Sequence, residues 1–467
     1  MTIAFHGAAR TVTGSKHLIT LSDGRKILLD CGLFQGMGND TQALNSDLGF
    51  HAAEVDVMLL SHAHIDHSGL IPKLVKDGFR GSIFCTDATQ ELASLLLADS
   101  AQIQVNDAKY HNKASKAQGK PFIQPLYTAA DAEQSFTHFV PRPYGEWFPV
   151  LDGVEALFTD AGHIIGSASV HIRFLEEGKQ KQISFSGDLG RYRDVILKSP
   201  ETFSQADYII IESTYGDTEH QDVVTSVDTL REWITKTCIE KGGKLIVPAF
   251  SLGRTQEILY ALNGLSLAGR LPAVDYFIDS PLSTSITDVV RRYPGYFNET
   301  IQDVMKHDRD PFDFSGLHHI NSVEESKDLN YRDEPCVIVS ASGMADAGRV
   351  KHHISNNIES SRNGILMTGY CEPRSLGGRL LAGAEEVGIF GVRHQVHASV
   401  GSIKSMSAHG DYADLLQWLS CQDKTAVRQL FLVHGESSVQ EIFKDRLVSA
   451  GFKNVTIPDQ HAEIQLD

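Results

Sequence analysis

The chain has 467 residues, 42% of them apolar and 22% charged, with 59 Asp and Glu against 42 Lys and Arg for a formal net charge of −17. That length exceeds one ordinary core and predicts two or three domains, and no run reaches the roughly 18 apolar residues of a transmembrane helix. The acidic balance excludes a broad basic nucleic-acid surface, so any phosphate contact must be local, through metals or a few Arg and Lys.

The N-terminus, Met1-Thr2-Ile3-Ala4-Phe5-His6-Gly7, lacks the basic region and apolar core of a signal peptide. Six scattered cysteines with no C-x-x-C pattern argue against a disulfide framework and predict a reducing, cytoplasmic setting. Short strand signals at 3–5, 17–21, 26–30, 55–61 and 82–85 are each bounded by Gly, Asp or Ser. A helical and loop stretch, 90–133, follows, and strands return at 154–159, 169–174 and 182–186. Many strands with few early helices predict two stacked sheets covered by helices. From about residue 207 the texture changes to apolar strands alternating with helical patterns, as at 208–211, 244–250, 276–279, 336–340 and 364–368, which predicts a parallel α/β sheet. Strand signals recur at 428–433 and 454–457.

The chemistry concentrates at Ser61-His62-Ala63-His64-Ile65-Asp66-His67-Ser68-Gly69, four metal-ligand side chains in six residues. They follow a buried strand and precede a helix, so a tight turn brings them to one point. Imidazole and carboxylate are the donors that zinc and related borderline metals prefer. A chance match to this spacing is expected in roughly a few per thousand chains of this size. Asp160-Ala161-Gly162-His163, Ser186-Gly187-Asp188 and Leu432-Val433-His434-Gly435 each place one further donor just past an apolar run. Alone, each is more simply a turn residue bonded to backbone; the shared context raises all three as candidates.

Taken in order, His62-x-His64-x-Asp66-His67, His163 and Asp188 resemble the metallo-β-lactamase superfamily. That resemblance implies an αββα sandwich with a metal site at the sheet edges. One metal would be held by His62, His64 and His163 and a second by Asp66 and His67, with Asp188 bridging. Asp30, in Leu28-Leu29-Asp30-Cys31-Gly32, would support the site from behind its ligands. The later motifs resemble the β-CASP subgroup of RNA-processing nucleases: Ile211-Glu212-Ser213-Thr214, 248–257, Ser340-Ala341-Ser342-Gly343-Met344, Thr368-Gly369-Tyr370, Ser407-Ala408-His409-Gly410-Asp411 and Val433-His434-Gly435-Glu436. This implies an inserted α/β cap, so the lactamase domain would run over 1–209 and 396–467 and the β-CASP domain over 210–395. It also makes His434 the last ligand of the second metal, and His at that motif favours RNA over DNA.

The expected activity is then a zinc-dependent ribonuclease with two zinc ions per chain and single-stranded RNA as substrate. A bridging hydroxide would be the nucleophile, Asp66 a ligand in the reaction centre, His409 the general acid and Glu212 its orienting carboxylate. Ser340, Ser342 and Gly343 could offer backbone N–H groups to a phosphate, and Arg254, Arg349 and Arg379 are candidate phosphate contacts. His352-His353 reads as structural or substrate-facing rather than as a metal pair. Endonucleolytic cleavage is favoured over 5′-end trimming. The sequence before the lactamase motifs leaves no room for a KH module, and the chain ends soon after His434, without the C-terminal extension of RNase J. The resemblance further implies a homodimer. The rival readings are a small-molecule ester, thioester or lactone hydrolase, which would not need the cap, and an inactive scaffold, which would have lost ligands.

Overall fold

The computed structural model describes residues 1–118, 122–176, 178–220, 223–369, 371–403 and 407–466; Tyr370 of the motif named above lies outside them. It divides into two compact units, Met1–Glu219 with His409–Asp467, and His220–Ala408.

The first unit is built on two seven-stranded sheets. In spatial order the first runs Ala462–Gln465, Thr2–Gly7, Lys16–Thr20, Lys26–Leu29, Val57–Leu59, Ser82–Cys85 and Phe139–Pro141. The second runs Val455–Thr456, Gln429–Val433, Tyr208–Glu212, Lys179–Phe185, Ala168–Glu176, Val154–Asp160 and Phe148–Leu151. Alternate residues of both sheets, among them Phe5, Leu29 and Leu59 from the first and Val170, Phe185, Ile210 and Phe431 from the second, interlock in one core. This is face-to-face packing, with the Phe5 and Phe431 rings 5.1 Å apart. The opposite residues are buried too. On the second sheet Ile209, Ile211, Leu430 and Leu432 pack against Leu415, Trp418, Phe443 and Leu447 of helices Tyr412–Leu419 and Ser437–Ser449. On the first, Leu28, Met58 and Ile83 have no exposure. Helices Ile71–Lys76, Asp87–Gln118 and Ala129–Ser135 supply its parallel crossovers. Strands covered on both faces read as continuous apolar runs, and this explains why their period-2 signal is weak in the sequence.

The second unit carries a six-stranded, wholly parallel sheet in the order Leu317–His319, Asp275–Ile278, Cys336–Ser340, Lys244–Pro248, Gly364–Met367, Ser399–Ser402. A separate two-stranded hairpin pairs Glu386–Ile389 with Val392–Gln395.

The unit boundaries fall after Glu219 and after Ala408. The physical reason is that Tyr208–Glu212 is a strand of the first unit. It lies parallel between Lys179–Phe185 and Gln429–Val433, and both Glu212 and His409 belong to that unit. Among the described residues, no helix is long and apolar enough to cross a membrane, and all six cysteines are free thiols.

Candidate metal centre

Each candidate ligand sits just beyond the carboxyl end of a strand of the first unit. His62, His64, Asp66 and His67 follow Val57–Leu59, Asp30 follows Lys26–Leu29, and His163 follows Val154–Asp160. Asp188 follows Lys179–Phe185 and His434 follows Gln429–Val433. The loops are drawn together by backbone bonds. Ser15 donates to the Asp66 carbonyl at 2.8 Å, Cys31 to that of His67 at 2.7 Å and Leu33 to that of Ile65 at 2.9 Å. This closeness demands glycine: a Cβ on Gly32 would lie 1.6 Å from the Asp66 carbonyl oxygen, and one on Gly190 1.7 Å from that of Gly162. The buried Lys16 ties the same region, its Nζ donating to the Gly14 and Gly32 carbonyls at 3.0 and 3.1 Å. Burial pushes its pKa down to about 8. Asp30 and His434 both hold left-handed backbone, φ 57° and 50°. Such strain in residues other than glycine is tolerated where the surroundings over-determine it, commonly at functional sites.

Hydrogen bonds on the outer side of the cluster fix which imidazole nitrogens face inward. Ser61 Oγ donates to Asp30 Oδ2 at 2.9 Å, so His62 Nδ1–H donates to Ser61 Oγ at 3.0 Å and Nε2 keeps its lone pair. His67 Nδ1–H donates to Asp30 Oδ2 at 2.6 Å, freeing Nε2. Thr214 Oγ1 donates to the His434 carbonyl at 3.1 Å, so His434 Nδ1–H donates back to it at 3.0 Å and its Nε2 faces Asp66 Oδ2 at 3.4 Å.

Inward-facing donors gather in two groups, and a third, Asp188, Glu212, His409 and His434, overlaps them. His64 Nδ1 lies 3.1 Å from His62 Nε2 and 3.2 Å from His163 Nε2. Three neutral imidazoles cannot all supply a proton to such contacts, but ~3.3 Å is the edge of a tetrahedron whose metal–nitrogen bonds are near 2.05 Å. Asp188 reaches this group through Oδ2, 3.5 Å from His62 Nε2 and 3.6 Å from His163 Nε2. Its Oδ1 turns to the other group, 3.2 Å from His67 Nε2, and neither of these two buried atoms has a hydrogen bond of good geometry. Asp66, His67 and His434 form that second group. One carboxylate thus addresses both sets of donors.

The electrostatics match. Burial raises the Asp188 carboxyl, but the imidazoles of His434, His67, His409 and His62 overcome it and hold the group well below its ordinary range. Burial depresses His67, yet the Asp188 and Asp30 carboxylates on either side hold it well above its ordinary value, so positive charge is favoured between His67 and Asp188. A buried set of imidazoles and carboxylates converging where positive charge is favoured fits a pair of divalent cations.

Beside this cluster, His409 Nδ1–H lies 3.0 and 3.1 Å from the two oxygens of the fully buried Glu212, which also accepts from the Leu189 amide at 2.6 Å. The His409 ring lies 4.6 Å from that of His163, tilted 47° to it, and keeps 17% of its side chain accessible. Burial depresses its pKa, but the charges of Glu212 and Asp188 outweigh that and raise it to about 9. Ser61 and Thr214, which orient His62 and His434, went unread in the sequence; each adjoins a motif residue, and that adjacency was the available signal.

The remaining candidates lie in the second unit. Ser340 ends strand Cys336–Ser340, and Ser342 and Gly343 lie in the turn after it, at the carboxyl ends of the parallel strands, where α/β sheets hold ligands. Arg254 is buried and paired with Glu257. Arg349 is paired with the buried Asp279 at 2.6 Å, and Arg379 is exposed, its Nε reaching the Ser375 carbonyl at 3.4 Å. The guanidiniums of Arg254 and Arg349 are therefore already committed to carboxylates. The pair His352-His353 is split, with His353 buried against Asp279 at 2.6 Å and His352 exposed.

Comparison with known proteins agrees with this architecture. The metallo-beta-lactamase superfamily matches residues 13–232, the Beta-Casp domain 255–380, and a "Zn-dependent metallo-hydrolase RNA specificity domain" 393–458. Ribonuclease TTHA0252 of Thermus thermophilus is 36% identical over 93% of this chain and 93% of its own length. An RNase J-like protein of Methanocaldococcus jannaschii is 30% identical over 93% of this chain and 92% of its own. The transcription termination factor FttA of the same organism is 27% identical over 98% of this chain and 70% of its own. With its two stacked sheets, its inserted parallel unit and its ligand-bearing strand ends, the chain belongs to the β-CASP group of the metallo-β-lactamase superfamily and is a metal-dependent hydrolase.

Proposed function

We propose that the protein is a zinc-dependent ribonuclease that hydrolyses phosphodiester bonds in single-stranded RNA, endonucleolytically in the first instance. The carrying observation is the pairing of His409 with the buried Glu212 beside groups of metal-ligand side chains that share Asp188. His62, His64 and His163 would hold one zinc, Asp66, His67 and His434 the other, with Asp188 shared and Asp30 behind His67. Zinc bound there would activate water and neutralise phosphate charge. The chain's own residues supply the proton. Glu212 holds His409 charged with its Nδ1–H engaged, leaving Nε2–H to be donated to the leaving 3′ oxygen as the phosphorus–oxygen bond breaks. Water's oxygen ends on phosphorus, giving a 5′-phosphate and a 3′-hydroxyl. Asp66, at the more accessible side of the cluster, would help to place the incoming water. The turn at Ser340–Gly343 and the exposed Arg379 remain the candidate backbone-phosphate contacts.

The relatives bear on substrate, since one is named a ribonuclease and another an RNase J-like protein. We place the protein in the cytoplasm, where its free thiols would stay reduced, and take a homodimer as its assembly. The test is metal analysis of the purified protein together with cleavage of a labelled single-stranded RNA by wild type and His409→Ala. Cleavage by the wild type only, with about two zinc equivalents in both, is expected. Turnover of esters or lactones with no RNA cleavage would replace this reading by the small-molecule one.

A further inference from the structure

The hairpin of the second unit closes between Ile389 and Val392 through a two-residue turn, Phe390-Gly391, with φ 52° and 78°. Two successive positive φ values are those of a type I′ turn, whose first position suits Asn, Asp or Gly. A phenylalanine there is strained, and it is left 47% exposed. Strain of this kind, held on a surface, is a reason to look for a use.

The ring is placed as if for stacking. It lies parallel to the exposed His352, centroids 4.4 Å apart at an interplanar angle of 28°, and Lys351 Nζ is 5.1 Å from its centroid. Lys351 and His352 belong to helix Gly348–Asn357. Burial, then the neighbouring His353, Lys351 and Lys327, lowers the His352 pKa, so its ring is neutral near pH 7. Lys327 is exposed on helix Val323–Tyr331, one turn before the exposed Tyr331. Glu386 of the hairpin is paired with Arg393 at 2.9 Å, and Glu359, just past helix Gly348–Asn357, lies 3.0 Å from His394. In a chain of net charge −17, two lysines about one exposed aromatic–histidine stack are a local exception. One phenylalanine and the neighbouring exposed Val392 fall far short of the ~800 Å² per partner of a stable protein interface. They match what a single unpaired base requires: an aromatic face and cations for its phosphates.

We propose that Phe390, backed by His352, is a stacking platform for a base of single-stranded RNA, with Lys351 and Lys327 at the adjoining phosphates. This site rests on the ribonuclease reading above and adds to it a contact in a different unit from the metal centre. The test measures fluorescence anisotropy of a labelled oligouridylate on the full-length, zinc-loaded protein carrying His409→Ala, so that binding is read without cleavage. Phe390→Asn relieves the turn, so the thermal midpoint should hold or rise, while affinity falls roughly 5- to 150-fold, the range for losing one stacked base. Phe390→Trp should bind within about threefold of the parent, since any large aromatic face serves. Lys327→Met with Lys351→Met should shallow the log–log salt dependence by about two phosphate contacts. If Phe390→Asn binds as tightly as the parent while the wild type cleaves RNA, the platform is wrong and the ribonuclease reading stands. If the wild type neither binds nor cleaves RNA, both fall. A change of oligomeric state in Phe390→Asn with RNA affinity intact would identify a contact between copies and overturn the platform.

Discussion

Glu212→Gln is the substitution that isolates charge from shape at the reaction centre. The glutamine oxygen can keep the 2.6 Å bond from the Leu189 amide and one bond to His409 Nδ1, so packing is preserved and one negative charge is lost. Two unit charges at 3.0 Å interact by 332/(20 × 3.0), about 5.5 kcal/mol at an effective dielectric of 20. Because His409 keeps 17% of its side chain accessible, water screens part of this, and roughly half, about 2.7 kcal/mol or two pKa units, is a fair magnitude. The sign is fixed by the role. A general acid works while protonated, so activity is lost as pH rises through its pKa, which Glu212 and Asp188 raise to about 9 in this cluster despite burial. The variant should therefore lose activity about two pH units earlier, with kcat reduced about 10-fold at pH 8. Metal content should be unchanged, because Glu212 spends its oxygens on His409 and on the Leu189 and Thr214 amides. Steady-state RNA cleavage across pH 6–10, with elemental analysis of each sample, is the assay. An alkaline limb in the wild-type position with kcat within about threefold would refute the argument.

Asp188→Ala should lower bound zinc from about two equivalents to below one, whereas His64→Ala should remove about one, because Asp188 faces both donor groups; elemental analysis after gel filtration reads this directly. Gly32→Ala would put a methyl group 1.6 Å from the Asp66 carbonyl oxygen, and should destabilise the fold by about 3 kcal/mol or more and empty the second group, read by thermal melting and zinc content. Burial raises the Asp160 carboxyl to about 7. A group raised in the folded state stabilises at low pH, and that stabilisation, on the order of 4 kcal/mol, is lost as pH climbs from about 4 to 7. Asp160→Asn should flatten the pH dependence of the melting temperature over that window, and an unchanged slope would show that Asp160 is not its source.

The ligand cluster at 62–67 was legible because its information is local: four donors share one turn, and spacing alone brings them together. His163, Asp188 and His434 were legible as donors placed past apolar runs, although which sheet each ended was not. To which unit Tyr208–Glu212 belongs was not legible, for a related reason. A continuous apolar strand reads alike in either parallel sheet, and only its pairing with Gln429–Val433 assigns it to the first unit. The commitment of Arg349 to Asp279 and the separation of His352 from His353 depend on contacts between segments some 30 to 70 residues apart. No window of sequence contains them.

The span of the ligand set also bears on how the protein comes into being. Ribosomal synthesis delivers Asp30 and the 62–67 turn first and His434 last, with the whole unit His220–Ala408 emerging in between. Strand Tyr208–Glu212 must wait for its neighbour Gln429–Val433 across that interval, a long-range pairing of the kind that slows folding. The nascent chain therefore holds an acidic and histidine-rich partial site long before it can complete it. Capture of metal by the finished donor set would then act as a late latch, favouring the closed sheets over every unfinished arrangement.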